Sequence, residues 1–344
     1  MRLLLRLLLI LSAGCVGAFM WAHDFVEQPT PFKVEREPYH VKSGQTLKPV
    51  LEELASKGFL LKPDIVYAWA RYQGLGEIRS GTYQFTGNDS PAHMVRMMNQ
   101  GRVVTERITI PEGLNRWQIR DLLAQGQWIT KQDFDEVCDD AGFLKSLGVN
   151  QANCEGILFP ETYTFARGVS PKKIFARIIE TYQAAFKSVT AGGTGPLNFN
   201  ETQFLTLASI VEKETGAAHE RPRIACVFYN RLQAKPPWRL QTDPTVIYAA
   251  TLSDPNFDGN IKRYHLQELN HPYNTYLKNG LPPGPIASPG LAAFKAVAQP
   301  NDCGDFFFVS KNNGEHIFCP TLSCHNQAVQ KWQVQYFRKK NQGP

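Results

Sequence analysis

Residues 200–216 read Asn-Glu-Thr-Gln-Phe-Leu-Thr-Leu-Ala-Ser-Ile-Val-Glu-Lys-Glu-Thr-Gly. Asn200 suits a helix N-cap, where its side-chain oxygen accepts an orphan backbone N–H, and Gln203 stands at the reciprocal capping-box position. Gly216 suits the stop. Between them Phe204, Leu207, Ala208 and Val211 recur at three- and four-residue steps, so they share one helical face, and that face belongs in a core. Continuing the stripe by three puts Glu214 at its edge, whereas Lys213 points to the opposite side and Glu212 falls on the far flank beside Leu205. Glu214 is therefore expected to be half-buried. A carboxyl against apolar packing is costly to ionise, so its pKa rises and it can deliver a proton near neutral pH. The plainer alternative is a pair of last-turn acids, disfavoured by the helix macrodipole and offset by Lys213 or Arg221.

The chain around this helix has 344 residues, 43% of them hydrophobic, enough for a sizeable core and two domains. Its 37 basic and 31 acidic residues leave a formal charge of +6, suited to anionic surfaces. The clustered Lys/Arg stripe of a nucleic-acid binder is missing, so nucleic acid is not an expected partner.

Residues 3–21 are apolar except for Arg6 and Ser12. At about 1.5 Å per residue they would span roughly 28 Å, close to a bilayer core. Arg2 and Arg6 place the short tip in the cytoplasm and the rest outside it. A cleaved signal peptide is the simpler alternative, and Ser12-Ala13-Gly14-Cys15 hints at a lipoprotein cleavage box. The expectation is an uncleaved single-pass anchor in the cytoplasmic membrane. Cysteine usage fits that side of the membrane. Besides Cys15, loop context suggests Cys138 with Cys154, and Cys303 with Cys319 or Cys324, leaving Cys226 as a core thiol. A zinc site at Cys319, Cys324 and His325 lacks a fourth ligand at metal spacing. His219-Glu220 opens like a zincin, but the position for the second histidine is Arg223. Neither a metal nor a cofactor is expected.

Residues 23–38, with three prolines and mixed charge, read as a linker. Tyr39-His40-Val41 alternates as a strand, and Leu47, Val50, Leu51 and Leu54 keep helical spacing to a stop at Gly58. Further patterns predict a helix over 63–72, a strand flanked by Tyr83 and Phe85, a short helix over 91–99 and a strand over 103–110. The strand–turn–helix layout then returns around Gly113, Ile119 and Leu123. The rest is helical with long Pro- and Gly-rich inserts: helices over 131–137, 171–189 and 221–232, a buried strand over 305–310, and a closing amphipathic helix over 326–337.

Four loop segments are unusual for connectors: Phe159-Pro160-Glu161-Thr162-Tyr163, residues 240–245, Tyr273-Asn274-Thr275-Tyr276, and residues 280–286. Each mixes rigid turn residues with amide, hydroxyl and aromatic groups, the set that recognises sugars by hydrogen bonding and stacking.

The strand–helix–helix–strand order over 39–125 resembles a LysM-type module, the small fold that grips N-acetylated sugar chains; a generic α+β spacer is the alternative. Residues 208–215, 239–248, 273–276, 280–290 and 323–326 resemble those of the endolytic murein transglycosylase, or YceG-like, family, and the likeness runs from about Tyr39 to Tyr336. Joined to the anchor and linker read above, the resemblance implies an α+β protein: residues 1–22 a cytoplasmic tip and single transmembrane helix, 23–38 a linker, 39–125 a LysM-like module, and 126–344 a mainly helical catalytic domain. It implies cleavage of the β-1,4 bond between N-acetylmuramic acid and N-acetylglucosamine within peptidoglycan strands, leaving 1,6-anhydromuramyl ends. Peptidoglycan glycan strands are the implied substrate, the membrane is reached through the anchor, and peptidoglycan synthases are implied partners.

Glu214-Thr215 resembles the Glu-Ser pair that ends a helix in other lytic transglycosylases, so the resemblance favours Glu214 as the acid over Glu212. It also implies substrate-binding roles for Glu161, Gln241, Asp243, Tyr273, Asn274, Tyr276, His325 and Asn326. Two departures stand out. Cys324 precedes His325 where a small or acidic residue is expected, and Glu161 stands where relatives carry Asp. Two other functions compete: a lysozyme-like hydrolase with Asp243 as the second carboxylate, and a non-catalytic glycan-binding scaffold.

Overall fold

The computed structural model describes residues 2–29, 38–336 and 338, giving backbone alone for 2–9. It is mainly helical, with three two-stranded sheets among the described residues. The chain divides into two compact units, Met1–Arg107 with Thr164–Ser170, and Ile108–Tyr163 with Pro171–Pro344.

The first unit runs α1 (Arg2–Glu27), β1 (Tyr39–Val41), α2 (Leu47–Ser56), α3 (Pro63–Tyr72), β2 (Gly81–Tyr83) and α4 (Pro91–Gln100), and leads into β3 (Thr105–Thr109). β1 and β2 pair antiparallel, with Tyr39 opposite Tyr83 and Val41 opposite Gly81, so the expected strand–helix–helix–strand order is present. Leu47, Val50, Leu51 and Leu54 bury one face of α2, as their spacing requires, in one core cluster with Val66, Tyr83, Phe85 and Met94. Ser90 caps α4 by accepting the His93 N–H, and Gly101 ends it in the left-handed conformation that glycine adopts without strain.

Of the N-terminal expectations, the linker boundary needs correction. Among the described residues no helix is long and apolar enough to cross a membrane. Much of the expected span, residues 3–9, has side chains outside the described residues. Residues 23–27, assigned to the linker, form the last turns of α1, because Val26 has a core to enter and Glu27 pairs with Arg96 at 2.5 Å. The middle of the linker, 30–37, lies outside the described residues.

β3 pairs with β4 (Thr162–Ala166). The second unit then contains α5 (Arg116–Gln125), α6 (Lys131–Cys138), α7 (Ala141–Ser146), α8 (Pro171–Thr190), α9 (Glu201–Glu214), a 3₁₀ turn (Ala218–Glu220) and α10 (Arg221–Gln233). After these come α11 (Asp243–Ser253), α12 (Arg263–Glu268), α13 (Leu291–Ala298), the hairpin β5 (Phe307–Ser310) and β6 (His316–Cys319), and α14 (Leu322–Val329), which continues into a π-helical turn (Gln330–Gln335). Thus α5, the helix of the second strand–turn–helix copy, belongs to this unit.

α9 is its central element. Asn200 and Gln203 form the expected capping box. Burial exceeds the expected stripe, however: every residue from Phe204 to Glu212 is buried. Neighbouring helices cover α9 on several sides, and the Phe204 ring meets Phe186 at 5.3 Å and Phe294 at 5.5 Å. The polar members are satisfied locally, Thr206 donating to the Thr202 carbonyl at 2.7 Å and Ser209 to the Thr206 carbonyl at 2.8 Å.

Three disulfides form. Cys138–Cys154 is as expected, but the others are Cys226–Cys303 and Cys319–Cys324, so Cys226 is not a free thiol. The Cys226–Cys303 pairing joins residues 77 apart, a distance over which loop context carries no information. The expected buried strand over 305–310 is the shorter hairpin strand β5, partly exposed because it has a single partner, β6, and of residues 307–310 only Val309 is buried. The closing helix begins earlier than expected, at Leu322, where Thr321 caps it, and its expected end, Phe337, lies outside the described residues.

Candidate active site

α9 stops at Glu214 because Thr215 turns to an extended conformation at φ −146°. The half-buried Glu214 side chain projects from the helix end, and its Oε1 accepts a hydrogen bond from the Thr242 hydroxyl. Thr242 is itself fixed. Its N–H donates to Thr275 Oγ1 at 3.1 Å, and its carbonyl accepts from Thr245 Oγ1 at 2.7 Å, while Thr245 and Thr275 share a hydroxyl contact of 2.8 Å. Burial pushes the Glu214 carboxyl up to about 7, and the Asp243 charge adds to the rise. The Thr242 hydrogen bond and the Arg231 charge oppose it.

Glu214 opens into a cleft of about 400 Å³, walled by Arg231, Gln241, Asp243 and Tyr276 on the polar side and by Phe307, Phe308, Leu322 and His325. Gln241 sits at φ +48°, uncommon for a residue with a side chain and most frequent at functional sites. Asp243 opens α11 and accepts the Tyr276 hydroxyl at 2.6 Å. Burial, and then Asp243, holds the Tyr276 hydroxyl well above the usual phenol range, so it stays a donor. Arg231 is buried, donating from Nε to the Phe306 carbonyl at 2.8 Å and from Nη1 to the Leu240 carbonyl. It thereby ties the 240–245 loop to the hairpin and faces the Phe307 ring at 5.6 Å.

Of the residues named from sequence, the cleft gathers Glu214, Gln241, Asp243, Tyr276 and His325. The others lie elsewhere. Glu161 is exposed, and its carboxylate accepts the Thr162 N–H at 2.8 Å. Tyr273 packs on Tyr248 at 4.9 Å. Asn274 is fully buried, donating to the His265 carbonyl at 3.0 Å and the Leu269 carbonyl at 2.9 Å, and accepting the Tyr276 N–H at 3.0 Å. It shapes the loop that delivers Tyr276. Asn326 is exposed on α14. Glu212, the competing acid, is consumed by structure: it pairs with Arg221 at 2.7 Å and accepts the Gly290 N–H at 3.0 Å.

Sequence reasoning passed over Arg231, Phe307, Phe308 and Leu322, and gave Thr242 no role beyond its place in the 240–245 loop. An arginine inside the apolar α10 pattern and the Phe306-Phe307-Phe308 run were the available signals.

Fold and cleft together define a mainly helical α+β protein with one carboxyl of near-neutral pKa at the end of a buried helix, ringed by amide, hydroxyl and aromatic groups. The chain belongs to the YceG-like family, whose model matches residues 39–331. It is 29% identical over 334 residues to the endolytic murein transglycosylase of Bacillus subtilis (strain 168), an alignment covering 92% of this chain and 90% of that protein. It is 26% identical over 368 residues to the endolytic murein transglycosylase of Streptococcus pneumoniae serotype 2 (strain D39), covering 94% of this chain but 63% of that longer relative. Among solved structures it resembles a yceG-like protein from Listeria monocytogenes, with a TM-score of 0.55 and 29% identity over 85% of this chain and 99% of that one.

Proposed function

We propose that the protein is an endolytic lytic transglycosylase that cuts the β-1,4 bond between N-acetylmuramic acid and N-acetylglucosamine within nascent peptidoglycan strands, ending their growth. One observation carries this: the Glu214 carboxyl, at about 7, is held by Thr242 in a cleft whose other groups suit sugars. Near neutral pH such a group serves both as acid and, once deprotonated, as base. Glu214 donates its proton to the glycosidic oxygen as the bond from that oxygen to C1 breaks. The resulting carboxylate takes the C6 hydroxyl proton as that oxygen bonds to C1, closing the 1,6-anhydro ring. No water is consumed and the carboxyl ends as it began. Gln241, Tyr276 and His325 supply polar contacts, and Phe307 and Phe308 supply apolar surface for the sugar rings.

The strand–helix–helix–strand order of the first unit supports a LysM-like glycan-gripping role for it. An extracytoplasmic location at the cytoplasmic membrane accompanies the proposal, with peptidoglycan synthases as neighbours. It is supported by the three disulfides, which persist in oxidising compartments. Residues 10–20 of α1, exposed although largely apolar, also suit a lipid neighbour.

The test is digestion of purified peptidoglycan by wild type and Glu214→Gln, with mass analysis of the fragments. Anhydromuramyl ends from wild type and none from the variant are expected; intact substrate with wild type refutes the proposal. A second reading, lysozyme-like hydrolysis, draws on Asp243, a second carboxylate in the same cleft. New reducing ends in place of anhydro ends would select it.

A further inference from the structure

One wall of the cleft rests on a thin support. β5, β6 and α14 enclose three buried residues, Val309, Cys319 and Ala328, helped by partly buried neighbours such as Phe307 and Trp332. So small a core restrains the sliding and tilting of an eight-residue helix poorly unless something staples it. Here the staple is covalent. Cys319 at the end of β6 is bonded to Cys324 in the first turn of α14, with their Cα atoms 5.6 Å apart. The same turn is capped by Thr321, whose hydroxyl accepts the Cys324 N–H at 3.3 Å and whose carbonyl accepts the His325 N–H at 3.1 Å.

His325 follows the disulfide directly. Its ring stacks on Phe307 at 5.2 Å and 27°, and it lines the cleft with Glu214 and Arg231. Its Nδ1 is buried without a partner, which leaves Nε2 as the ring nitrogen able to meet a ligand. Burial, and then the Arg231 charge, holds the imidazole below its usual pKa, so it is neutral near pH 7. A neutral ring carries one proton. On Nδ1 that proton would be a buried, unpaired donor, a costlier arrangement than a bare lone pair, so the Nε2–H tautomer is favoured.

We infer that the Cys319–Cys324 disulfide is a positioning element that holds His325 so that its Nε2–H donates to an acceptor oxygen of an N-acetylated sugar, the acetamido carbonyl being the strongest neutral acceptor there. The inference rests on the transglycosylase reading. It adds a structural reason for the cysteine that departs from the family pattern.

The test measures kcat and KM of the full chain on peptidoglycan. His325→Phe keeps the stacked ring but removes the donor, and should raise KM about tenfold, the worth of one net hydrogen bond, with kcat within about twofold. His325→Gln restores an N–H near the Nε2 position and should recover most of that loss. Replacing both Cys319 and Cys324 by alanine should raise KM several-fold, and adding His325→Phe to that pair should bring KM no higher than His325→Phe alone, because both changes remove one contact. Where the alanine pair does not fold, Cys319→Val with Cys324→Ala fills the lost volume. An unchanged KM in His325→Phe, no rescue by glutamine, or additive losses overturns the inference while wild type still cuts. A wild type without turnover overturns the functional reading and this inference with it.

Discussion

Replacing Glu214 by glutamine removes a proton-bearing group while keeping its shape and its ability to accept from Thr242, so the consequences separate into chemistry and stability. The carboxyl moves from 4.5 to about 7 on folding. Each pKa unit is worth about 1.4 kcal/mol, so the ionised side chain costs the folded state on the order of 3 kcal/mol. The sign follows from the direction. The folded protein holds this proton more tightly than the unfolded chain, so the contribution is fully present below about pH 4.5 and is lost as pH rises through about 7. Glutamine is neutral throughout. Glu214→Gln should therefore match wild type near pH 4 and exceed it by ~3 kcal/mol near pH 8, as read from urea midpoints on oxidised protein across that range. Glu155, buried and likewise raised to about 7, titrates in the same window but is common to both proteins and drops out of the difference. Turnover of the variant should fall by roughly two to four orders of magnitude, the usual worth of a positioned acid and base. A stability difference that stays flat with pH, or a variant weaker than wild type near pH 8, refutes the assignment of a burial-raised carboxyl to this position.

Further expectations concern the groups around that proton. Asp243→Asn removes a negative charge that raises the Glu214 pKa, so the alkaline limb of the kcat/KM profile, where the acid form is lost, should move to lower pH. Thr242→Val removes the donor that favours the carboxylate, and the same limb should move to higher pH. Asn274→Ala removes the side-chain partner of the buried His265 carbonyl and of the Tyr276 N–H, while the Leu269 carbonyl keeps the His271 N–H, and should lower unfolding free energy by about 1–3 kcal/mol in denaturant titrations while weakening substrate turnover through Tyr276.

How legible the site was depends on the range of the interaction involved. Glu214 could be picked out because helix phase is local: the capping box at Asn200 and Gln203 sets the start, and steps of three and four carry the apolar face to the last turn. Gln241, Asp243 and Tyr276 were legible as loop residues of the right chemistry, and the resemblance grouped them. Tyr273 and Asn274 belong to the same short loop, but whether a loop residue faces a cleft or a core depends on which carbonyls await it, and for Asn274 those are the carbonyls of His265 and Leu269.

By itself the sequence determined several of the helices, the capping box of α9, the strand–helix–helix–strand order of the first unit, and the position of an acid at the end of an apolar helix, whereas α7, α11, α12 and α13 came only with the structure. The former follow from hydrogen bonds and periodicities that close within a few residues. Only the tertiary structure decided that Glu212 is neutralised by Arg221 while Glu214 meets Thr242, that Cys226 pairs with Cys303, and that Arg231 joins the 240–245 loop to the β5 hairpin. Those outcomes depend on which distant groups packing brings within a few ångströms. Burial then makes those partners matter, because a polar group left unpaired in a low-dielectric interior is costly.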